Sequence, residues 1–176
     1  MKTTGCFLAF LVFLVLAAPA NAVAGDITLF GGFQNAGKLT LSSAGSTVLT
    51  EPANVGIFGV RYKHGGFFSP EHTIAFAPNF LDSQSKAFFL NSNLVMQAPA
   101  PVVRPYVTAG LGTVITSGSG VSDIGVKFAL NYGGGAKLPL MESIGARFDV
   151  RGYSIPRVQS QTLNIVEVTF GLVFSN

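Results

Sequence analysis

Along most of this chain, apolar and polar residues change places at every second position. In SIGARFDVRGY, residues 143–153, Ile144, Ala146, Phe148 and Val150 alternate with Arg147, Asp149 and Arg151. This is a strand period, because successive side chains of an extended backbone point to opposite sides. Segments rich in Gly, Pro, Ser and Asn divide the sequence into eight such runs, near 26–34, 54–64, 71–80, 86–97, 104–115, 124–138, 143–152 and 162–174. Several approach the roughly 9–11 residues that a tilted strand needs to cross a bilayer. No segment beyond the first 24 residues carries a helical repeat.

The two faces of these runs differ in kind. One face carries Ile27, Leu29 and Phe33, then Phe58, Val60 and Tyr62, then Ile74, Phe76 and Phe80. It continues with Phe88, Leu90, Leu94 and Met96, with Val107, Ala109, Leu111 and Ile115, and with Val126, Phe128, Leu130 and Tyr132. Phe148 and Val150 follow, then Val166, Val168, Phe170, Leu172 and Phe174. Lys86, at a strand end, is the one charge on this face. The other face holds Asp26, Arg61, Lys63, Glu71, Arg104, Lys127, Lys137, Arg147, Asp149, Arg151 and Glu167, interspersed with Gly110, Gly112, Gly133, Gly135, Asn91, Asn93 and Asn131. A soluble strand turns its charges to water, and a membrane barrel does the reverse. Sparse charges among glycines fit a narrow lumen, so the apolar face is expected to meet lipid.

Composition supports this orientation. The chain has 176 residues, of which 11% are charged, whereas a soluble surface carries about 25–35%. Lys2, the apolar run 7–18 and the small-x-small steps Ala20-Asn21-Ala22 and Ala22-Val23-Ala24 read as a secretory signal peptide over 1–24. Residues 25–176 then form one domain. Cys6 belongs to the signal, so the remainder has neither disulfides nor thiolate metal sites. Without Lys2, 10 basic residues stand against 8 acidic ones, too even a balance to predict a nucleic-acid partner.

Eight strands put both termini on one side, the periplasm for a bacterial barrel. Short connections near 65–70, 98–103 and 139–142 are then periplasmic turns, and 35–53, 81–85, 116–123 and 153–161 face outside. In the longest of these, KLTL and STVLT are able to pair above the membrane.

PYVTAGLG at 105–112, NYGGGAKLPL at 131–140 and ARFDVRGY at 146–153 resemble the second half of small outer-membrane barrels, the opacity/OmpA-like eight-stranded proteins. The resemblance implies an eight-stranded antiparallel up-and-down transmembrane β-barrel in the bacterial outer membrane. It implies contact with outer-membrane lipids and lipopolysaccharide, and a structural or adhesion-like surface role without enzymatic chemistry. Phe170, Leu172 and Phe174 are similar to the C-terminal signal read by the barrel-assembly machinery, although Ser175 and Asn176 follow the last aromatic residue. The absence of Trp leaves any aromatic girdle to Phe and Tyr. Extracellular ligands are expected at loops 35–53 and 153–161.

An eight-stranded interior is narrow enough for side chains to fill. Setting Gly152 opposite Thr162 brings Arg147 opposite Glu167, with Asp149 and Arg151 on the same face. Setting Leu138 opposite Ile144 places Gly135 beside Arg147 and Gly133 beside Asp149. Arg61, Lys127, Arg147, Asp149, Arg151 and Glu167 are therefore expected to form a lumenal charge network, either an ion-pair plug or a narrow anion-preferring channel. A soluble lipocalin-like carrier is the inverted alternative, needing an apolar cavity and a charged exterior. His64 and His72 lie near the first periplasmic turn without metal-ligand spacing and read as surface histidines. Lipid A deacylases use a His and a Ser near the outer leaflet, and this chain has no His-x-Ser. GGG at 133–135 and GSG at 118–120 lead into strands rather than the helix that a phosphate loop requires. No catalytic residue, metal or cofactor is expected.

Overall fold

The computed structural model describes residues 25–37, 39–43, 46–50, 54–81, 83–118, 124–158 and 160–176. The segment 1–24, expected to be a signal peptide, lies outside them. The described residues form ten strands: β1 (Gly25–Ala36), β2 (Leu39–Ser43), β3 (Ser46–Thr50), β4 (Asn54–His64), β5 (Phe68–Pro78), β6 (Lys86–Gln97), β7 (Arg104–Ser117), β8 (Val126–Pro139), β9 (Ile144–Val158) and β10 (Gln161–Ser175). Eight close into an antiparallel barrel in the order β1-β10-β9-β8-β7-β6-β5-β4, and β2 and β3 form a separate hairpin. The hairpin pairs Leu39 with Thr50 and Ser43 with Ser46, as KLTL and STVLT suggested.

The register fixes the shape. From Ala36 the pairing runs through Ile165, Tyr153, Asn131, Gly110, Asn93, Glu71 and Lys63 to Asp26. One circuit thus returns to β1 ten residues lower. With the usual strand rise and spacing, this stagger tilts the strands by about 40° and gives a radius of about 8 Å. Such a barrel has room for side chains but no open bore.

Several strand ends differ from the sequence reading. β5 stops at Pro78, and Asn79 then takes a positive φ of 57°. That break turns Phe80 inward, where it is buried, rather than onto the apolar outer face. The segment 153–161 is not a loop. β9 continues to Val158, and Val158 pairs with Gln161, leaving a tight turn. Between Ile155–Leu163 and Val158–Gln161, β9 spends one residue more than β10. The excess forms an irregularity at Pro156 and Arg157, whose φ is +61°. Pro cannot donate to the ladder, and bulges of this kind re-aim the side chains beyond them. Arg157 is accordingly exposed and Val158 buried.

The points at which the turns close move the predicted registers: the longer β9 shifts its pairing with β10, and the turn after Pro139 shifts its pairing with β8. Gly152 faces Val166, not Thr162, and Arg151 rather than Arg147 stands opposite Glu167. Leu138 faces Ala146, so Gly135 lies beside Asp149 and Gly133 beside Arg151.

Candidate functional site

Two strands supply the arginines of the lumen and three the carboxylates. Arg61 projects inward from β4, Arg147 and Arg151 from β9, Glu71 from β5, Asp149 from β9 and Glu167 from β10; all six are buried. Arg61 Nη2–H donates to Glu167 Oε1 at 2.6 Å, and its Nη1–H donates to Asp149 Oδ2 at 2.9 Å. Arg147 Nη1–H reaches Glu71 Oε2 at 2.6 Å, and its Nε–H reaches Asp149 Oδ2 at 3.0 Å. Arg151 Nη2–H bridges Glu71 Oε1 at 2.6 Å and Asp149 Oδ1 at 3.0 Å. Tyr106 O–H also donates to Asp149, and Tyr153 O–H to Glu167 Oε2 at 3.1 Å. Three positive and three negative groups therefore cancel. Charges this deep are tolerated when paired and hydrogen-bonded, and the planar guanidinium makes several such bonds at once.

Aromatic and glycine positions complete the fit. Arg61 lies 3.7 Å over the Phe30 ring and Arg147 4.5 Å over Tyr106, both cation–π distances. A Cβ at Gly135 would collide with the Phe148 carbonyl and the Tyr106 hydroxyl, and one at Gly133 with the Val150 carbonyl. These glycines give the large neighbours their space.

Two further layers bracket the network. Toward the end bearing the termini, Lys137 Nζ donates to Asp26 Oδ2 at 2.8 Å, and Lys63 Nζ lies 3.4 Å from the same oxygen. Toward the opposite end lies a largely apolar layer, with Thr73, Asn91 and Thr116 as buried polar residues at its edge. Ile57, Phe80, Phe89, Val114, Ile155, Leu163 and Ile165 form one buried cluster, with Ala75, Ala77, Ala87 and Ala129 among them. Phe89 packs against Phe80 at 5.6 Å and Tyr153 at 5.5 Å between ring centroids.

Of the six residues predicted for the network, Arg61, Arg147, Asp149, Arg151 and Glu167 meet. Lys127 does not. It lies on the inward register of β8 near the loop end, opposite Val114, and has no carboxylate partner among the described residues. Position explains this: it sits at the apolar layer, beyond reach of the ionic one. Glu71 is the member missing from that prediction. Its inward parity was visible, but only the circuit across β5 and β6 shows that it meets Arg147 and Arg151. An anion path lined by Arg61, Lys127, Arg147 and Arg151 is not what the geometry presents, since the three arginines are neutralised and an apolar layer lies above them.

All thirteen predicted lipid-facing residues lie on the outer wall. Phe58, Val60, Phe88, Phe128, Leu130, Val150, Leu172 and Phe174 are exposed there, as is Phe170 at 66%. Phe76, Leu90, Phe148 and Val168 are partly covered by neighbours on the same wall; Phe76 touches Phe58 and Phe88, and Phe148 touches Phe170. A carrier with a charged exterior would need the opposite arrangement. His64 and His72 are on the outer wall, with rings 6.3 Å apart, and His72 Nδ1 is 3.0 Å from Ser92 Oγ. Among the described residues, no three His, Cys, Asp or Glu side chains gather as a metal site.

No protein-family model matches the chain, and no curated protein matches it. Solved structures do. Neisserial surface protein A superposes with a TM-score of 0.69 at 14% identity, covering 86% of this chain and 97% of that one. The N-terminal β-barrel domain of Pseudomonas aeruginosa OprF gives 0.58 at 12% identity, covering 87% and 97%. Ail, the attachment invasion locus protein of Yersinia pestis, gives 0.53 at 15% identity, covering 88% and 99%. The chain has the fold of the small eight-stranded outer-membrane barrels.

Proposed function

We propose that the protein is an outer-membrane barrel that acts as a sealed, rigid anchor for surface-exposed loops, with a structural or adhesion-like role. The carrying observation is the pairing of an apolar outer wall with an interior closed twice over. A buried wall of Phe, Leu and Val in hydrocarbon gains the transfer energy that it would forfeit in water. The neutral ion-pair layer and the apolar layer above it leave no continuous hydrated path of the kind conduction needs. What remains for function is the loop end, where β2 and β3 form a hairpin separate from the barrel sheet.

In this reading the segment 1–24 directs export and residues 25–176 form the barrel domain. Outer-membrane lipids and lipopolysaccharide surround the wall. Phe170, Leu172 and Phe174, spaced along the outward face of the last strand, serve recognition by the barrel-assembly machinery. An extracellular ligand binds the segment 35–53. The tight β9–β10 turn contributes little surface, so the segment 153–161 is dropped as a ligand loop. The fold shared with a protein named for attachment supports this role.

Replacing residues 38–53 by a short Gly/Ser turn tests it. The barrel should still fold in the outer membrane, with a heat-dependent shift in gel mobility, while adherence of the bearing cells to host cells or matrix falls to background. Unchanged adherence would remove the loop from the account. Stable anion-selective conductance of the purified protein in planar bilayers would replace the anchor with a channel.

A further inference from the structure

We propose that the three turns at the terminal end rest in the interfacial layer of inner-leaflet phospholipid instead of projecting into periplasmic water. This rests on the membrane reading above and extends it to a surface that reading leaves free. The turns are residues 65–67, 98–103 and 140–143, and Glu142 is the one charged residue among them. Phe67, Val102, Val103, Leu140 and Met141 are all exposed, Val102 and Met141 at 71%. Turns are ordinarily built from Gly, Asn, Asp and Ser. Single exposed apolar side chains are commonplace, but a nearly uncharged apolar rim supplied by three separate hairpins is a patch of the kind that marks a binding surface.

Continuity with the wall identifies the occupant as lipid. Phe68 pairs with Met96, and Ile144 with Phe174; each side chain faces outward and is exposed. No charged row separates the wall from the turns. The opposite rim is different. There Asn35 Nδ2–H donates to Asn54 Oδ1 at 3.0 Å, and Ser154 O–H to Asn164 Oδ1 at 2.9 Å, all four on the outer face. The wall thus has a polar boundary at the loop end on β4, β1, β10 and β9; at the terminal end His64, His72 and Ser92 interrupt it on β4, β5 and β6, but beyond the His72–Ser92 pair it is apolar again through Phe68 and Met96 to the turns.

A second feature matches the same ligand. An open cleft of about 510 Å³ lies between the first two turns, lined by Phe67, Pro99, Pro101 and Arg104 among others. Arg104 holds its place by donating Nε–H to the Ala100 carbonyl at 3.2 Å. An apolar cleft with one cation suits an amphiphile with an anionic headgroup, which is what a glycerophospholipid presents.

The chain contains no Trp, so single Trp residues report without background. Met141→Trp and Val102→Trp probe the turns, and Phe170→Trp probes the wall. Each full-length barrel is folded into phosphatidylethanolamine/phosphatidylglycerol vesicles. The lipid carries bromine on acyl carbons close to the glycerol. Both turn reporters should emit at blue-shifted wavelengths, lose most of their emission to the brominated lipid and resist aqueous iodide. Turn reporters quenched by iodide and not by bromine, with the wall reporter quenched by bromine, would overturn this inference and leave the membrane reading intact. A wall reporter that iodide reaches would instead overturn the membrane reading. Turn reporters shielded from both quenchers, with shielding lost on dilution into excess lipid, would assign the surface to a second copy and also overturn the inference.

Discussion

Arg61→Met is the most informative single change in the lumen. The side chain is fully buried, and methionine keeps much of its bulk without the charge. Asp149 retains Arg147, Arg151 and Tyr106. Among the described residues Glu167 retains the Tyr153 hydroxyl as its hydrogen-bond partner, so the stranded charge is Glu167. Unit charges about 4 Å apart at an effective dielectric of about 20 attract by about 4 kcal/mol. That agrees with the roughly 3–5 kcal/mol lost when one partner of a buried pair is removed. Adding Glu167→Gln removes the orphan and restores neutrality among Arg147, Arg151, Glu71 and Asp149. The double variant should therefore stand within about 1–2 kcal/mol of the parent, a coupling of roughly 2–3 kcal/mol. Urea unfolding of the barrel in phospholipid vesicles, followed by the folded and unfolded bands on unheated gels, measures all four corners of the cycle. Arg147→Met with Glu167→Gln is the comparison. These two residues do not touch, so their coupling should be markedly smaller. Losses for Arg61 and Glu167 that simply add would refute the pairing and the layer built on it.

Other consequences follow from the same geometry. Val150→Arg, halfway along β9 on the outer wall, should cost about 2–4 kcal/mol, whereas Phe88→Arg, near the loop end of β6, should cost about 0–1 kcal/mol; equal losses in vesicle unfolding would mean that the wall does not span a bilayer. Phe89→Ala removes the ring between Phe80 and Tyr153 and should cost about 3–5 kcal/mol, read as a lowered urea midpoint. Gly135→Ala, whose Cβ meets the Phe148 carbonyl and Tyr106, should destabilise by about 1–3 kcal/mol or more. Gly56→Ala, with nothing within 4 Å of its Cβ, should leave the midpoint nearly unchanged.

The alternation in sequence made the wall and the strand number legible, because a period of two survives without knowledge of any partner strand. It did not make register legible. A hairpin's register depends on where its turn closes, and Pro156 with neighbouring polar residues looked like a loop although Tyr153, Ile155 and Val158 continue the inward row. A few residues' extension of β9 was enough to exchange Arg147 for Arg151 opposite Glu167. The apolar inner layer was hidden for another reason. Phe89, Val114, Ile155, Leu163 and Ile165 share parity with the charged positions, and a two-colour reading of the faces treats such residues as exceptions. Only the barrel's stagger shows that they occupy one level. The same stagger brings Glu71 to Arg147 and Arg151, across 76 and 80 residues of chain, and leaves Lys127 outside.

Everything depends on which side of the wall meets hydrocarbon, and β10 allows this to be measured residue by residue. Cys6, the one native cysteine, lies in the segment 1–24, so spin labels can be placed singly on cysteines substituted at positions 166 to 172 of the barrel in lipid vesicles. The account predicts an alternating profile. Labels replacing Val166, Val168, Phe170 and Leu172 should collide freely with oxygen and rarely with a water-soluble nickel complex, and labels replacing Glu167 and Thr169 should be shielded from both. Frequent nickel collisions at the first four positions would contradict it, because that wall would then be in water.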